Sequence, residues 1–407
     1  MLPAHAEPLQ VETGKPTRGL HTDGVALTYR ALDLRQPAPL PNEAALRAEV
    51  RAFLAGEEFV PLCDAWLAGH DPGFSQRLGA RGFIGMTIPV RYGGHGRSVL
   101  ERYVVTEELL AAGAPVAAHW IADRQTAPLL LRYGTEEQRE RFLPLIARGE
   151  CFFSLGMSEP DSGSDLASVT TAANRSDGGL LVTGRKVWTS HAHQSHFMLT
   201  LCRTGPAGES RHEGLSQLIV DLQAPGVDVR PIALLSGEHH FNEVVLDDVF
   251  VPDALVLGTL GAGWTQVMSE LAYERSGPER LLSTYPVLAE LVRAVGPAPD
   301  AARAAAVGRL VAQLVALRRL SRSVAAALEA GETPLVEAAL VKEVGTRYER
   351  AVTELARLQL PIEPHLGAGG RLEELVAQAI LAGPGFTLRA GTSEIMRGSV
   401  ARGLGVR

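Results

Sequence analysis

A glutamate near the end of one helical segment has the setting of a general base. In the run Gly263-Trp264-Thr265-Gln266-Val267-Met268-Ser269-Glu270-Leu271-Ala272-Tyr273-Glu274-Arg275, the residues Trp264, Val267, Leu271 and Glu274 follow spacings of three, four and three. Those spacings share one face of an α-helix. Glu274 thus ends an apolar stripe, and its neighbours four residues away are Glu270 and Pro278, so no cation on that helix neutralises it. A carboxylate on a buried stripe is expected to titrate above its ordinary range, which suits proton abstraction near neutral pH. The same placement fits a helix-end glutamate paired with an arginine from another element, and the spacing leaves both readings open. Pro278 lacks the N–H that would bond the Glu274 carbonyl, so a bend is expected there.

Polar chemistry also gathers in Gly156-Met157-Ser158-Glu159-Pro160-Asp161-Ser162-Gly163-Ser164-Asp165-Leu166-Ala167-Ser168, between strand-like segments at 151–155 and 169–171. Glycines permit close approach to the backbone and serines add hydroxyls, a composition suited to a phosphate or the edge of a flavin. About 20 residues on, Gly184-Arg185-Lys186-Val187-Trp188-Thr189-Ser190 sets an aromatic plane beside two hydroxyls. Such a pair of features holds a flat ring by stacking and by bonds to its heteroatoms. Taken singly, each stretch reads equally as an ordinary polar hairpin.

Met157-Ser158-Glu159-Pro160 with Gly163-Ser164-Asp165, then Lys186-Val187-Trp188-Thr189-Ser190, then Gly391-Thr392-Ser393-Glu394-Ile395-Met396-Arg397, resemble in order and separation the signature of the acyl-CoA dehydrogenase family. The resemblance spans roughly residues 45 to 407. It implies an α+β fold: an N-terminal helical domain, a middle antiparallel β-barrel or sandwich, and a C-terminal four-helix bundle. It implies FAD as cofactor, an acyl-CoA or acyl-carrier-protein thioester as substrate, and α,β-dehydrogenation, in which a carboxylate takes the α-proton and flavin N5 receives the β-hydride. An electron-transfer flavoprotein or another acceptor would reoxidise the flavin, and a homodimer or homotetramer is implied.

Residue by residue, the resemblance assigns Leu155, Met157, Ser158, Gly163, Ser164, Trp188, Thr189, Ser190, Gln359, Thr392 and Glu394 to the cofactor. It assigns Ser164, Tyr273, Arg275, Ala390 and Gly391 to the substrate. Ser158 would bond the pyrimidine edge, Trp188 would flank the isoalloxazine, Ser190 would bond near N5, and Thr392 and Glu394 would touch the adenine half. Trp120 and Arg124 sit where family members form the acyl pocket, or are simply buried structure. Many members carry the base just before the closing Gly-Thr-Ser, and here that position is Ala390. Others, of isovaleryl or long-chain type, carry it in a Glu-Arg pair that matches Glu274-Arg275, which makes Glu274 the catalytic residue. The N–H of Ala390 would still polarise the thioester carbonyl. An Arg-x-x-Phe-Gly segment that helps bind a neighbouring subunit's cofactor has no counterpart at 294–300. Two other readings therefore stand: a flavin monooxygenase or oxidase on the same fold, and a non-catalytic partner subunit.

These residues need elements to hold them. Residues 1–42, with prolines at 3, 8, 16, 37, 39 and 41, read as an extended arm. Residues 43–150 read as helices, with Asn42 as a cap and Thr135 and Gln138 forming a capping box. Residues 151–252 change to a period of two, with a hairpin at Asp177-Gly178-Gly179 and strands near 195–201, 215–221 and 241–247. Residues 253–407 return to alanine-rich helices at 301–330, 334–360 and 371–380. Net charge of −7 with no basic stripe gives nucleic-acid binding no support. Cys63, Cys151 and Cys202 lack metal-ligand spacing and read as reduced buried thiols. No apolar run suggests membrane insertion, no leader is apparent, and a cytoplasmic location is expected.

Overall fold

The computed structural model describes residues 32, 34–367 and 369–406. Most of the expected arm, residues 1–31 and 33, lies outside them. The helical first part comprises α1 (Glu43–Ala55), α2 (Ala65–Ala68), α3 (Pro72–Arg81), α4 (Val99–Ala111), α5 (Ala117–Ile121), α6 (Ala127–Tyr133) and α7 (Glu136–Ala147). Ser98 with Glu101, and Thr135 with Gln138, form complete capping boxes at α4 and α7. Asn42 stands before α1 but does not cap it, because its amide donates to Glu101 Oε1 at 3.1 Å. Between α5 and α6 the chain makes a π-turn over Ala122–Thr126. Pro128, which follows, has no N–H for the Arg124 carbonyl, so the ordinary ladder is already broken there.

The middle part is one eight-stranded sheet. Its strands are β1 (Phe153–Gly156), β2 (Ala172–Ser176), β3 (Gly179–Ser190), β4 (Phe197–Arg203), β5 (Leu215–Asp221), β6 (Val227–Ile232), β7 (Phe241–Pro252) and β8 (Val256–Leu257). The order is β6-β7-β3-β2-β4-β5-β8, with β1 also paired to β4. The expected all-antiparallel arrangement is corrected: β1 runs parallel to β4, with Leu155 opposite Leu199, and β2 meets β4 in parallel at Ala172 and Arg203. Neighbouring parallel strands need a long connection. The polar loop after β1 and the β2–β3 hairpin together supply it, and a period of two does not reveal strand direction. Val182, Leu199, Ile219 and Val244 pack with Leu130 and Phe142 in one core, so the first helices cover the sheet.

The last part comprises α8 (Gly263–Ser276), α9 (Tyr285–Val295), α10 (Ala301–Glu329), α11 (Leu335–Gln359), α12 (Arg371–Leu388) and α13 (Ser393–Gly403). A second core joins α1, α3 and α4 to α9–α12 through Val50, Phe74, Val104, Leu288, Leu310 and Val376. The helix expected at 371–380 runs on to Leu388 through Gly383-Pro384-Gly385. Packing outweighs propensity there: Phe386 is buried, and its carbonyl accepts bonds from Lys342 Nζ (3.2 Å) and Thr346 Oγ1 (3.0 Å). Helix α8 touches all three parts. Gln266 Nε2 bonds the Leu257 carbonyl at 2.8 Å, Arg132 bonds Ser269 Oγ at 3.0 Å, and Arg275 Nε bonds the Ala390 carbonyl at 3.0 Å.

Candidate active site

One wall of the site is the polar loop after β1, held against β3 by a buried ion pair. Lys186 Nζ lies 2.8 Å from Glu159 Oε1 and 3.2 Å from the Met157 carbonyl. Glu159 also accepts from the Thr170 N–H (2.7 Å), the Thr170 hydroxyl (2.8 Å) and the Thr171 N–H (2.9 Å). The Val187 N–H bonds the Ser158 carbonyl at 2.9 Å. Burial acts to raise the Glu159 pKa, but the adjacent Lys186 charge and these donors outweigh it and hold the carboxylate at about 2. Glu159 and Lys186 fix the site without belonging to the expected ligand set. Charge alone does not single them out in the sequence, because Asp161 and Asp165 share the first motif and Arg185 the second.

This clamp brings Leu155, Met157 and Ser158 beside Trp188, Thr189 and Ser190. Trp188 sits where the β3–β7 register shifts between Lys186 and Thr189, with φ +60° and 57% of the residue exposed. A bulky residue at positive φ costs about 1–3 kcal/mol, and such strain collects where a ligand is held. Phe241 meets the Trp188 ring edge-on, at 5.9 Å between centroids. The hydroxyls of Ser158, Ser164 and Ser190 reach the surface with no protein partner. Thr189 is instead fully buried, with its carbonyl bonded to Asn242 Nδ2 at 3.0 Å. Gly163 lies on the exposed part of the loop. An aromatic face on strained backbone, flanked by uncommitted hydroxyls, fits the ring system of a flavin.

Helix α8 packs against this loop. Trp264, Val267 and Leu271 pack with Met157 and Leu166, as the stripe required. The stripe ends at Leu271, however. Glu274 keeps 24% of its side chain exposed, and its Oε1 lies 3.9 Å from Arg280 Nη2. The carboxyl that burial pushes upward is Glu270, one turn earlier: it is enclosed, repelled by Glu274, and raised to about 8 against the bond from Gln217. Pro278 leaves the Glu274 carbonyl without a helical donor, and Arg280 supplies two replacements, from Nε at 2.9 Å and Nη2 at 2.8 Å. The Arg275 bond to Ala390 joins this turn to the link between α12 and α13. There Ala390 has φ +58° and Gly391 φ +96°, and a Cβ on Gly391 would lie 2.6 Å from Met396 Cε. Tyr273, Glu274, Arg275, Ala390 and Gly391 are thus gathered in one place.

Behind Tyr273, Arg124 donates to its carbonyl at 3.0 Å and pairs with buried Glu279 at 2.5 Å. Gly277 has no room for a Cβ, which would collide with that same ion pair. Trp120 and Arg124 are both buried, with the guanidinium 4.7 Å from the Trp120 ring centre, and Arg124 also lines a small cavity beside Tyr273. Of the residues expected at the adenine half, Thr392 and Glu394 follow Gly391 in the chain, whereas Gln359 lies apart. Thr392 uses its hydroxyl to cap α13, bonding the Ile395 N–H at 3.4 Å, and Glu394 is exposed. Gln359 ends α11, about 20 Å along that helix from Thr346, which bonds Phe386. Among the described residues no cluster of His, Cys, Asp and Glu fits a metal, and no helix is long and apolar enough to cross a membrane. All three cysteines are free and buried.

Models of the N-terminal, middle and C-terminal domains of acyl-CoA dehydrogenase match residues 41–150, 154–249 and 292–405. Acyl-CoA dehydrogenase IpdE1 of Mycolicibacterium smegmatis is 37% identical over 279 residues, covering 62% of this chain and 71% of IpdE1. Acyl-CoA dehydrogenase FadE34 of Mycobacterium tuberculosis is 34% identical over 375 residues, covering 91% of this chain and 50% of FadE34; the chain spans about half the length of that relative. Among solved structures, the Tcur3481-Tcur3483 steroid ACAD superposes with a TM-score of 0.78 at 30% identity, over 92% of this chain and 100% of that one. The ChsE4-ChsE5 complex from Mycobacterium tuberculosis gives 0.73 at 28% identity, over 90% and 98%.

Proposed function

The chain belongs to the acyl-CoA dehydrogenase family, whose members are FAD flavoproteins acting on CH–CH groups, and on that footing we propose that it dehydrogenates an acyl thioester between Cα and Cβ. The observation that carries this reading is the meeting of α8 with the α12–α13 link, where Arg275, the neighbour of a part-exposed Glu274, bonds the Ala390 carbonyl. Glu274 takes the α-proton on a carboxylate oxygen. Arg280 holds the main chain under Glu274, so the base stands on a fixed helix end. The Arg275 bond occupies the Ala390 carbonyl and leaves the Ala390 N–H to polarise the thioester oxygen. FAD, when bound, accepts the hydride that leaves Cβ. Met157, Ser158, Trp188 and Ser190 hold its ring, and Leu155, Gly163, Ser164 and Thr189 shape the rest of that wall. Gln359, Thr392 and Glu394 face a second copy, which makes the working form a homodimer or homotetramer. The substrate is an acyl-CoA or acyl-carrier-protein thioester, an electron-transfer flavoprotein or similar acceptor reoxidises the flavin, and the protein works in the cytoplasm.

The test is to purify the protein, record its visible spectrum, and add acyl-CoA thioesters anaerobically. The panel includes a steroid thioester, because one solved relative is named a steroid ACAD. Bleaching of the flavin is expected, and Glu274→Gln should slow it by roughly 10²–10⁴-fold while the bound flavin is kept. A Glu274→Gln protein that bleaches at the wild-type rate rules out this base. A colourless protein that takes up no FAD points instead to a partner subunit, the reading that the missing Arg-x-x-Phe-Gly segment at 294–300 leaves open. A yellow protein inert to every thioester, but active with oxygen once reduced, points to a monooxygenase.

A further inference from the structure

The end of α12 is made by side chains of another helix. Had α12 run on, the Ala390 N–H would bond the Phe386 carbonyl, four residues back. The Arg389 N–H does reach the Gly385 carbonyl, at 3.1 Å, but Arg389 then extends to ψ 151° and Ala390 turns to φ +58°. The Phe386 carbonyl is taken instead by Lys342 Nζ at 3.2 Å and Thr346 Oγ1 at 3.0 Å. Those two residues stand four apart, on one face of α11. A carbonyl oxygen has two lone pairs, so the two donors fill it. Among the described residues the Ala390 N–H has no acceptor. Lys342 is fully buried, and this is its one hydrogen bond among those residues. Nearby acids of α11 serve other groups: Glu343 pairs with Arg347 (2.6 Å) and Arg397 (2.7 Å), and Glu349 accepts the Ser283 N–H at 3.1 Å. Burial, with the charges of Arg280 and Arg389, pushes the Lys342 amine down to about 8. An amine enclosed for a single carbonyl is costly to keep, and a helix end does not require one, since glycine or water meets the same need.

We propose that Lys342 and Thr346 are positioning residues for the proton abstraction: by occupying the Phe386 carbonyl they end α12 and leave the Ala390 N–H to the thioester oxygen. The inference rests on the dehydrogenase reading above. As the α-proton passes to a Glu274 carboxylate oxygen, the C–H electron pair spreads onto the thioester oxygen, and an N–H with no other acceptor meets the growing charge. A left-handed alanine is disfavoured, so the turn needs anchors on both sides. Arg275 holds the Ala390 carbonyl at 3.0 Å, and Arg389 is held by Asp64, by Ser283 Oγ at 3.2 Å and by the Trp66 ring at 4.5 Å. With the Phe386 carbonyl vacated, the Ala390 N–H falls back onto it, which lengthens α12 and withdraws the donor.

The test uses the FAD-loaded protein and its Lys342→Met, Thr346→Val and Thr346→Ser variants, with Lys342→Met and Thr346→Val also combined. β-Thia analogues of the acyl-CoA panel, which have no β-hydride to give, are isotope-labelled at the thioester carbonyl, and the bound C=O stretch is read by infrared difference spectroscopy. In the wild type the stretch should lie below that of the free thioester. In the double variant it should return to the free value, and flavin bleaching at saturating acyl-CoA should slow by roughly 10²–10³-fold while the analogue still binds. Each of Lys342→Met and Thr346→Val alone should show a smaller effect in the same direction, and Thr346→Ser, which keeps the hydroxyl, should match the wild type. A merely structural pair would alter stability and binding but not the stretch of the carbonyl that is bound. A wild-type stretch equal to the free one, or a double variant that keeps the wild-type stretch, overturns the assignment. If the double variant does not fold, the isosteric Thr346→Val decides, and an unmoved stretch there overturns it. If the stretch responds as expected but no thioester bleaches the flavin, the dehydrogenase reading falls and the positioning of the donor stands. If thioesters bleach the flavin and the stretch does not respond, the reverse holds. If the wild type binds no member of the panel, both fall.

Discussion

At neutral pH Glu270 is mainly a carboxylic acid. Burial and the charge of Glu274 raise it to about 8 from the usual 4.5. The unfolded chain ionises near 4.5, so the penalty is absent below that pH, grows as pH rises towards 8, and is constant beyond it. Glu270→Gln should remove this slope and stabilise the protein at pH 8 by on the order of 4 kcal/mol, with little effect at pH 4.5. Urea unfolding at both pH values checks this; an equal change at the two would sink it. The proton also gives Glu270 a donor to offer beside Gln217, whose Oε1 is otherwise unpartnered. Helical spacing in the sequence located α8 and its apolar stripe, but it assigned the raised titration to Glu274. A period of 3.6 reports which residues share a face and not how far the opposing surface extends. Here that surface covers Leu271 and leaves Glu274 at its edge, while Glu270 turns inward onto β5.

The loop after β1 owes its shape to a partner element. Lys186 of β3 is fully buried, and with Thr170 and Thr171 it satisfies both Glu159 oxygens. Lys186→Met leaves the Glu159 charge buried with only neutral donors, and breaking a buried pair in this way costs about 3–5 kcal/mol. We expect the variant to lose flavin absorbance and to be cut within 160–168 by a protease that spares the wild type. A variant that retains both properties would show that the loop holds itself. Because Glu159 is held at about 2, its contribution is present above the unfolded value near 4.5 and is lost as pH falls from there towards 2. The motifs were legible as sequence because glycines, serines and a tryptophan stood together. The ion pair beneath them was not, because it joins residues 27 positions apart. Strand direction was hidden for a similar reason, being set by what lies between β1 and β4.

Across the whole molecule, the first and last helical parts are tied by a charged seam. Glu43 of α1 accepts from Arg47 (2.8 Å) and from Arg322 of α10 (3.0 Å), while Glu107 of α4 pairs with Arg47 (2.5 Å) and Arg318 (2.6 Å). Burial works to raise Glu43, but the Arg322 and Arg47 bonds prevail and hold it at about 2. Its contribution is therefore full above about 4.5 and disappears towards pH 2. Glu43→Gln should bring the acid-unfolding midpoint to higher pH, as followed by circular dichroism, and an unmoved midpoint would mean that the seam carries no net stability. The π-turn at Ala122–Thr126 has a different kind of consequence, one of counting. It holds one residue more than an α-helix of the same span. Deleting that residue would return the segment to an α-helix of the same span, with α5 and α6 left in place. A relative with a one-residue gap here would keep both flanking helices and lose only the widened turn between them. Gaps at 122–126 therefore mark the gain or loss of this turn, a change that percentage identity does not register.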